Sequence, residues 1–468
     1  TQNQQDIFEL NLQGGLFDLP AGEVRAAAGF QQRRNASQFN PDILQSTASF
    51  TDQVIGVYPT GYLSEMTIAK DIWAELLVPV VKDLPFLKKV ELELGGRHSN
   101  YSTFQGTNTY KINANIQFND WLRFRGGYNK ATRAPNLGEL YLPYQQIFTG
   151  GGVYVDPCGL LSNSPFGAGG ALVPDPRPGP NQGVPTQINP NTLLSTSLAA
   201  GQTATGAQSA YLICQAQMGA GSGLFYGTTQ AQPGAGGGGF AWINQIGNSK
   251  LDSEKADTYT AGLVMRSPFE HPLLSRIQIT ADWYQIKIKD AILPYSIDYA
   301  RFLCYGAVPV TSGAQAAAQA ASAACQALPR SQSTGGTLTT LVSYANQAWV
   351  KTAGVDFNVN WSADMADLGL ESVPGALSLN VTGSWLQTYK TKQSPAAYDP
   401  VTEWKGSLGP SLQSFNAGAY DYRLFTNLSY NLPSFGVNVR WRHLPEVKPA
   451  GKATEAAIIA NNARVAAG

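Results

Sequence analysis

Along most of the chain, apolar and polar residues alternate one for one, the pattern of strands whose two faces meet different surroundings. Tyr110, Ile112, Ala114, Ile116 and Phe118 alternate with Lys111, Asn113, Asn115 and Gln117. The same period recurs in Leu122 to Tyr128, Tyr259 to Met265, Leu377 to Trp385, Tyr422 to Tyr430 and Phe435 to Trp441. Broader candidates at about 6–12, 22–34, 65–78, 89–101, 276–291 and 347–363 bring the expected number of strands to twelve. Very little of the chain carries the helical period of 3.6.

Several runs place aromatic residues at both ends of an aliphatic middle: Tyr110 and Phe118, Tyr422 and Tyr430, Phe435 and Trp441. The lipid face of a membrane barrel requires this, because amphipathic rings sit at the two headgroup interfaces and aliphatics fill a band roughly 25 Å tall. The opposite faces, including Arg123, Arg125, Asn129, Asp356, Asn358, Asn360, Asn380, Thr382, Arg440 and Arg442, suit a water-filled lumen. A soluble sandwich whose core ends in aromatics is the plainer alternative, and these polar faces weigh against it.

The gaps between strands supply a second test. Short connections are expected at about 13–21, 79–88, 119–120, 268–275, 364–375 and 432–435, each after an odd-numbered strand. Longer ones fall at about 35–64, 132–255, 292–346 and 390–420, after even-numbered strands, with 102–107 too short to help and residues 444–468 forming a further excursion. Outer-membrane barrels keep this parity, with short periplasmic turns and long extracellular loops. The expected fold is all-β, an antiparallel transmembrane β-barrel.

Composition narrows the choice. Charged residues make up 14% of the 468, with 32 basic against 32 acidic, well below the roughly 25% of soluble domains. A balanced charge offers no field for phosphate backbones, so nucleic acid is not an expected partner. No run approaches the ~18 apolar residues of a spanning helix. Thr1 to Leu12 carry no basic segment followed by an apolar stretch, so no secretory signal is read there.

All four cysteines lie in the two longest loops, Cys158 and Cys214 in one, Cys304 and Cys325 in the other. Closure within each loop is preferred from proximity, although four cysteines permit three connectivities, and it requires an oxidising compartment. No CxxC spacing or Cys/His cluster points to a metal. Gly234, Gly236 and Gly239 match GxGxxG formally, but no strand precedes them and no helix pattern follows. His98, His271 and His443 lie far apart, and Asp364 with Asp367 and Glu91 with Glu93 read as solvated pairs. No catalytic constellation is present and no cofactor is expected. The Ala-rich segment from Ala314 to Leu328 reads as a short helix packing at the barrel mouth.

The run Trp121-Leu-Arg-Phe-Arg-Gly-Gly-Tyr-Asn-Lys-Ala-Thr-Arg133-Ala134-Pro135-Asn136-Leu-Gly-Glu139-Leu-Tyr141 resembles the barrel segment of TonB-dependent outer-membrane receptors. Leu251 to Tyr259, Asp282 to Ile292 and Gly354 to Asp356 resemble later strands of the same family, so that the likeness covers about 65–445. The resemblance implies a bacterial outer-membrane transporter driven by the TonB protein pulling on a plug domain, and Arg133, Ala134, Pro135, Asn136 and Glu139 as a motif at the barrel rim. Arg133 reads as a turn-stabilising donor there, with ligand contact as the alternative. No plug and no terminal aromatic strand are found, and such transporters resemble 22-stranded barrels. About twelve strands therefore read as part of a barrel.

Between Leu137 and Ser249 the charged residues are Glu139, Asp156, Asp175 and Arg177 alone. A strongly anionic ligand would call for clustered Arg and Lys. The loop instead offers aromatics among Asn, Gln, Ser and Thr, with Tyr141, Tyr144, Tyr154, Tyr226 and Trp242 as candidate ligand contacts. Neutral polar cargo such as an oligosaccharide is favoured, with peptides or apolar small molecules also fitting and self-packing of the loop as the rival reading. Beside uptake stand two other hypotheses: a passive pore or barrel enzyme of twelve strands, and a secreted disulfide-stapled binding protein.

Overall fold

The computed structural model describes residues 1–46, 60–149, 158, 186–188, 195–197, 205–222, 241–294, 302–306, 310–333, 335–336, 338, 340–392, 395, 400–412, 415–450, 452–453, 456–457 and 460. Twelve strands follow one another as hydrogen-bonded neighbours: β1 (Gln2–Leu19), β2 (Gly22–Phe39), β3 (Leu63–Leu84), β4 (Leu87–Tyr101), β5 (Thr107–Gln117), β6 (Leu122–Arg133), β7 (Glu254–Arg266), β8 (Gln278–Pro294), β9 (Thr340–Asp364), β10 (Ala376–Lys392), β11 (Tyr422–Asn431) and β12 (Gly436–His443). Every neighbouring pair in this path is antiparallel. β1 and β12 do not pair with each other, so the sheet is an open arc, part of a barrel.

All twelve expected strands are present, and several are longer than alternation alone indicates. β1 continues to Leu19, which shrinks the expected connection at 13–21 to Pro20 and Ala21. Its pattern is obscured by Gly14 and Gly15 and by a bulge between Gly15 and Phe17 that flips the faces. β3 runs through Pro79, which reads in sequence as a terminator. The register shifts between Pro79 and Val81, so the missing N–H falls at a bulge, where proline is tolerated.

The two faces differ as alternation requires. Ile112, Leu263, Ile72 and Phe8 are exposed on the apolar face. On the polar face Lys111 Nζ donates to Glu93 at 2.6 Å and pairs with Glu75 at 2.9 Å, and Asn358 Nδ2 donates to Thr382 Oγ1 at 2.8 Å. Glu93 thus has a partner and is not simply solvated. So does Asp364, which pairs with Arg276 at 2.6 Å in a short turn.

The largest apolar core lies in the loops. Cys158 bonds Cys214 and Cys304 bonds Cys325, each within its own loop. Ala210, Ile213, Cys214 and Met218 from the first loop bury against Cys304, Tyr305, Val310, Ala316, Cys325 and Leu328 from the second. Buried polar atoms there are matched: Tyr305 Oη donates to Gln217 Oε1 at 2.6 Å, and Val310 N donates to Ser209 Oγ at 2.7 Å. The Ala-rich segment forms two helices, Gly313–Ala320 and Ala323–Gln326, because Ser322 caps a second start. It packs on the helix Thr205–Met218 of the other loop.

Candidate functional site

The rim between β6 and β9 is tied by Arg133. Its Nε and Nη2 donate to Glu254 at 2.7 and 2.8 Å, while Nη1 and Nη2 donate to Glu139 at 3.0 and 2.9 Å. Pro135 ends β6 because it has no N–H for the ladder. Asn136 then caps the helix Leu137–Tyr141: its Oδ1 accepts from Glu139 N at 2.9 Å, and Glu139 Oε2 accepts from Asn136 N at 2.8 Å. Glu254 Oε1 also accepts from Ile292 N on β8 at 2.7 Å.

Beneath this ion cluster Leu140, Leu251 and Ile292 are buried together, with Tyr141 and Tyr344 packed against them. Each such aliphatic side chain stabilises the rim by about 1.5–3 kcal/mol. Asn346 Nδ2 donates to the carbonyls of Asp252 and Asp290 at 2.8 and 2.9 Å, joining β8 and β9 to the segment that leads into β7. Burial pushes the Tyr141 phenol above its ordinary pKa, with Glu65 adding to the effect.

Above the knot, Gln145–Thr149 pairs antiparallel with Ala241–Ile246, and the latter pairs in parallel with the start of β9. The two ends of the longest loop therefore rise from the rim as a hairpin. Of the candidate aromatics, Tyr141 packs into the rim, Tyr144 is exposed at the foot of the hairpin, and Trp242 lies on its second strand. Tyr154 and Tyr226 lie outside the described residues, as do Gly234, Gly236 and Gly239.

On the polar face a concavity of about 410 Å³ is lined by Thr280, Asp282, Asp356, Arg423, Phe425 and Arg442 among others. Arg125 reaches across β7 to Asp282 with two bonds of 2.8 and 2.6 Å. Gly262 stands between them in register and makes this possible, since a Cβ there would lie 2.0 Å from Asp282 Oδ1. Among the described residues no group of three or more His, Cys, Asp or Glu is placed to hold a metal ion.

The family model for the TonB-dependent receptor-like β-barrel matches residues 1–462. The chain belongs to this family. It is part of a β-barrel of the bacterial outer membrane, and the apolar face of its sheet is the lipid face. Among solved structures, the chain is similar to the siderophore receptor PirA from Acinetobacter baumannii, at 10% identity and a TM-score of 0.46, over 95% of this chain and 44% of that one. It is also similar to a mutant of the ferric enterobactin receptor PfeA from Pseudomonas aeruginosa, at 10% identity and a TM-score of 0.43, over 94% and 48%. The RagAB peptide transporter matches at 9% identity and a TM-score of 0.44, over 94% and 41%. The chain spans less than half the length of each.

Of the residues singled out from the sequence, Arg133 closes β6, Ala134 and Pro135 follow it, Asn136 caps the helix Leu137–Tyr141 and Glu139 lies in its first turn. Glu254, the second carboxylate on Arg133, was not singled out from the sequence. Its signal was the family-like run Leu251 to Tyr259 in which it sits.

Proposed function

We propose that the chain is the barrel part of a TonB-dependent active transporter that takes up a neutral polar ligand such as an oligosaccharide. TonB acts through a plug outside this chain, and long loops capture the ligand before it passes the polar inner wall. Tyr144, Tyr154, Tyr226 and Trp242 supply stacking faces, while Arg133 serves the rim. The reading contains no catalytic step. The observation that carries it is the hairpin of Gln145–Thr149 with Ala241–Ile246, whose strands flank a stretch of sequence that is nearly uncharged and rich in aromatics.

The test is calorimetric titration of the full-length receptor with neutral oligosaccharides, a ferric siderophore and a peptide, paired with uptake by cells with and without TonB. Saccharide binding and TonB-dependent uptake are expected. Binding of the siderophore or peptide alone overturns the ligand class, and uptake unaffected by loss of TonB overturns active transport.

A further inference from the structure

One row of the lipid face carries an unusual run of charge. At the loop end of the arc, residues directly opposite one another across six strands read Lys130 on β6, Asp257 on β7, Lys287 on β8, Lys351 on β9, Lys390 on β10, and Glu403 on the short strand Thr402–Glu403. Asp257 is already committed, accepting from Lys289 Nζ at 2.9 Å and from Tyr128 Oη at 2.8 Å. Glu403 lies 3.9 Å from Lys390. Lys287 and Lys351 have no ion-pair partner among the described residues. Three lysines on adjacent strands, about 4.8 Å apart from strand to strand, repel one another, and like charges directly opposite destabilise a sheet.

The level of this row is fixed by the rings below it. Tyr110, Tyr128 and Tyr259 form a chain with centroids 5.8 and 4.9 Å apart, and Trp283 and Trp385 continue the belt on the same face. Lys130 Nζ lies 5.8 Å from the Tyr110 centroid and Lys405 Nζ 5.4 Å from that of Trp385. Aromatic belts mark the interface, so the lysines stand at the headgroups of the outer leaflet. Long basic side chains at that depth meet lipid phosphates.

We infer that Lys287, Lys351 and Lys390, with Lys130 and Lys405 on either side, form a binding surface for a phosphate-bearing anionic lipid of the outer leaflet. The phosphates neutralise the row and turn its repulsion into attachment. The inference rests on the barrel and its membrane, and is independent of the cargo.

The test uses full-length receptor purified in detergent, with native mass spectrometry against diphosphorylated lipid A, its dephosphorylated form and phosphatidylethanolamine. Wild type is expected to hold the diphosphorylated lipid selectively. K287Q/K351Q/K390Q should weaken that binding by about 100-fold, from three lost lysine contacts, and should be no less stable than wild type before lipid is added. The Lys→Arg triple variant should retain binding. Equal binding of all three lipids by wild type, or undiminished binding by the Gln variant, overturns the inference. Should the Gln variant fail to fold, wild-type binding that does not fall with rising salt overturns it equally.

Discussion

Arg133 directs four hydrogen bonds at two carboxylates whose side chains are only 12% and 14% exposed. Removing it strands both acids, so Arg133→Ala should cost about 2–3 kcal/mol, measured by urea unfolding of the receptor in liposomes. Arg133→Lys should recover less than half, because an ammonium cannot present the planar fork that serves Glu139 and Glu254 together. Asn136→Ala should cost about 1 kcal/mol through the lost cap. At Gly262 any side chain meets Asp282, so Gly262→Ala should separate Arg125 from Asp282 and cost about 1–3 kcal/mol in the same assay. The motif of Arg133, Pro135, Asn136 and Glu139 was legible in the sequence, although the helix cap inside it was not singled out. The pairing of Arg133 with Glu254 was not, because 121 residues separate them and only the strand register joins them.

Alternation revealed every strand of the arc because each has one face against lipid and the other against water. It failed at the ends of β1 and β3, where bulges at Gly15 and Pro79 reset the period. The Ala-rich segment was legible as helical, but its partner was not, since the segment shows no apolar face until Ala316 and Cys325 meet Ile213 and Met218 from another loop. That shared core yields a prediction for the two disulfides, which close loops of 56 and 21 residues. Chain-entropy arguments assign them about 4 and 3 kcal/mol. Replacing either pair with Ser should expose both loops to limited proteolysis, while heat-shifted migration on gels shows the barrel unchanged. Cleavage confined to the loop that lost its own bridge would contradict a common core.

At the scale of the molecule, the open arc leaves β1 and β12 with unpaired ladder groups. Each unsatisfied backbone group in hydrocarbon costs several kcal/mol, which is why sheets cross membranes only when closed. The polypeptide of residues 1–468 expressed alone should therefore give no heat-modifiable band in detergent, whereas the full-length receptor should. The parity of short and long connections was readable from sequence because turn lengths are local. The identity of the cargo was not, since stacking faces on Tyr and Trp accept many ligands.

The joint core of the two stapled loops also bears on how such receptors diversify. Ile213 and Met218 are buried against Val310, Ala316 and Leu328, which the other loop supplies. A recombination event that imports one loop from a sister receptor without the other brings together halves that do not match. Exchanging one loop alone with that of another receptor is therefore expected to break this core, and exchanging the block from Cys158 to Leu328 to keep it, as limited proteolysis of the two chimaeras would report.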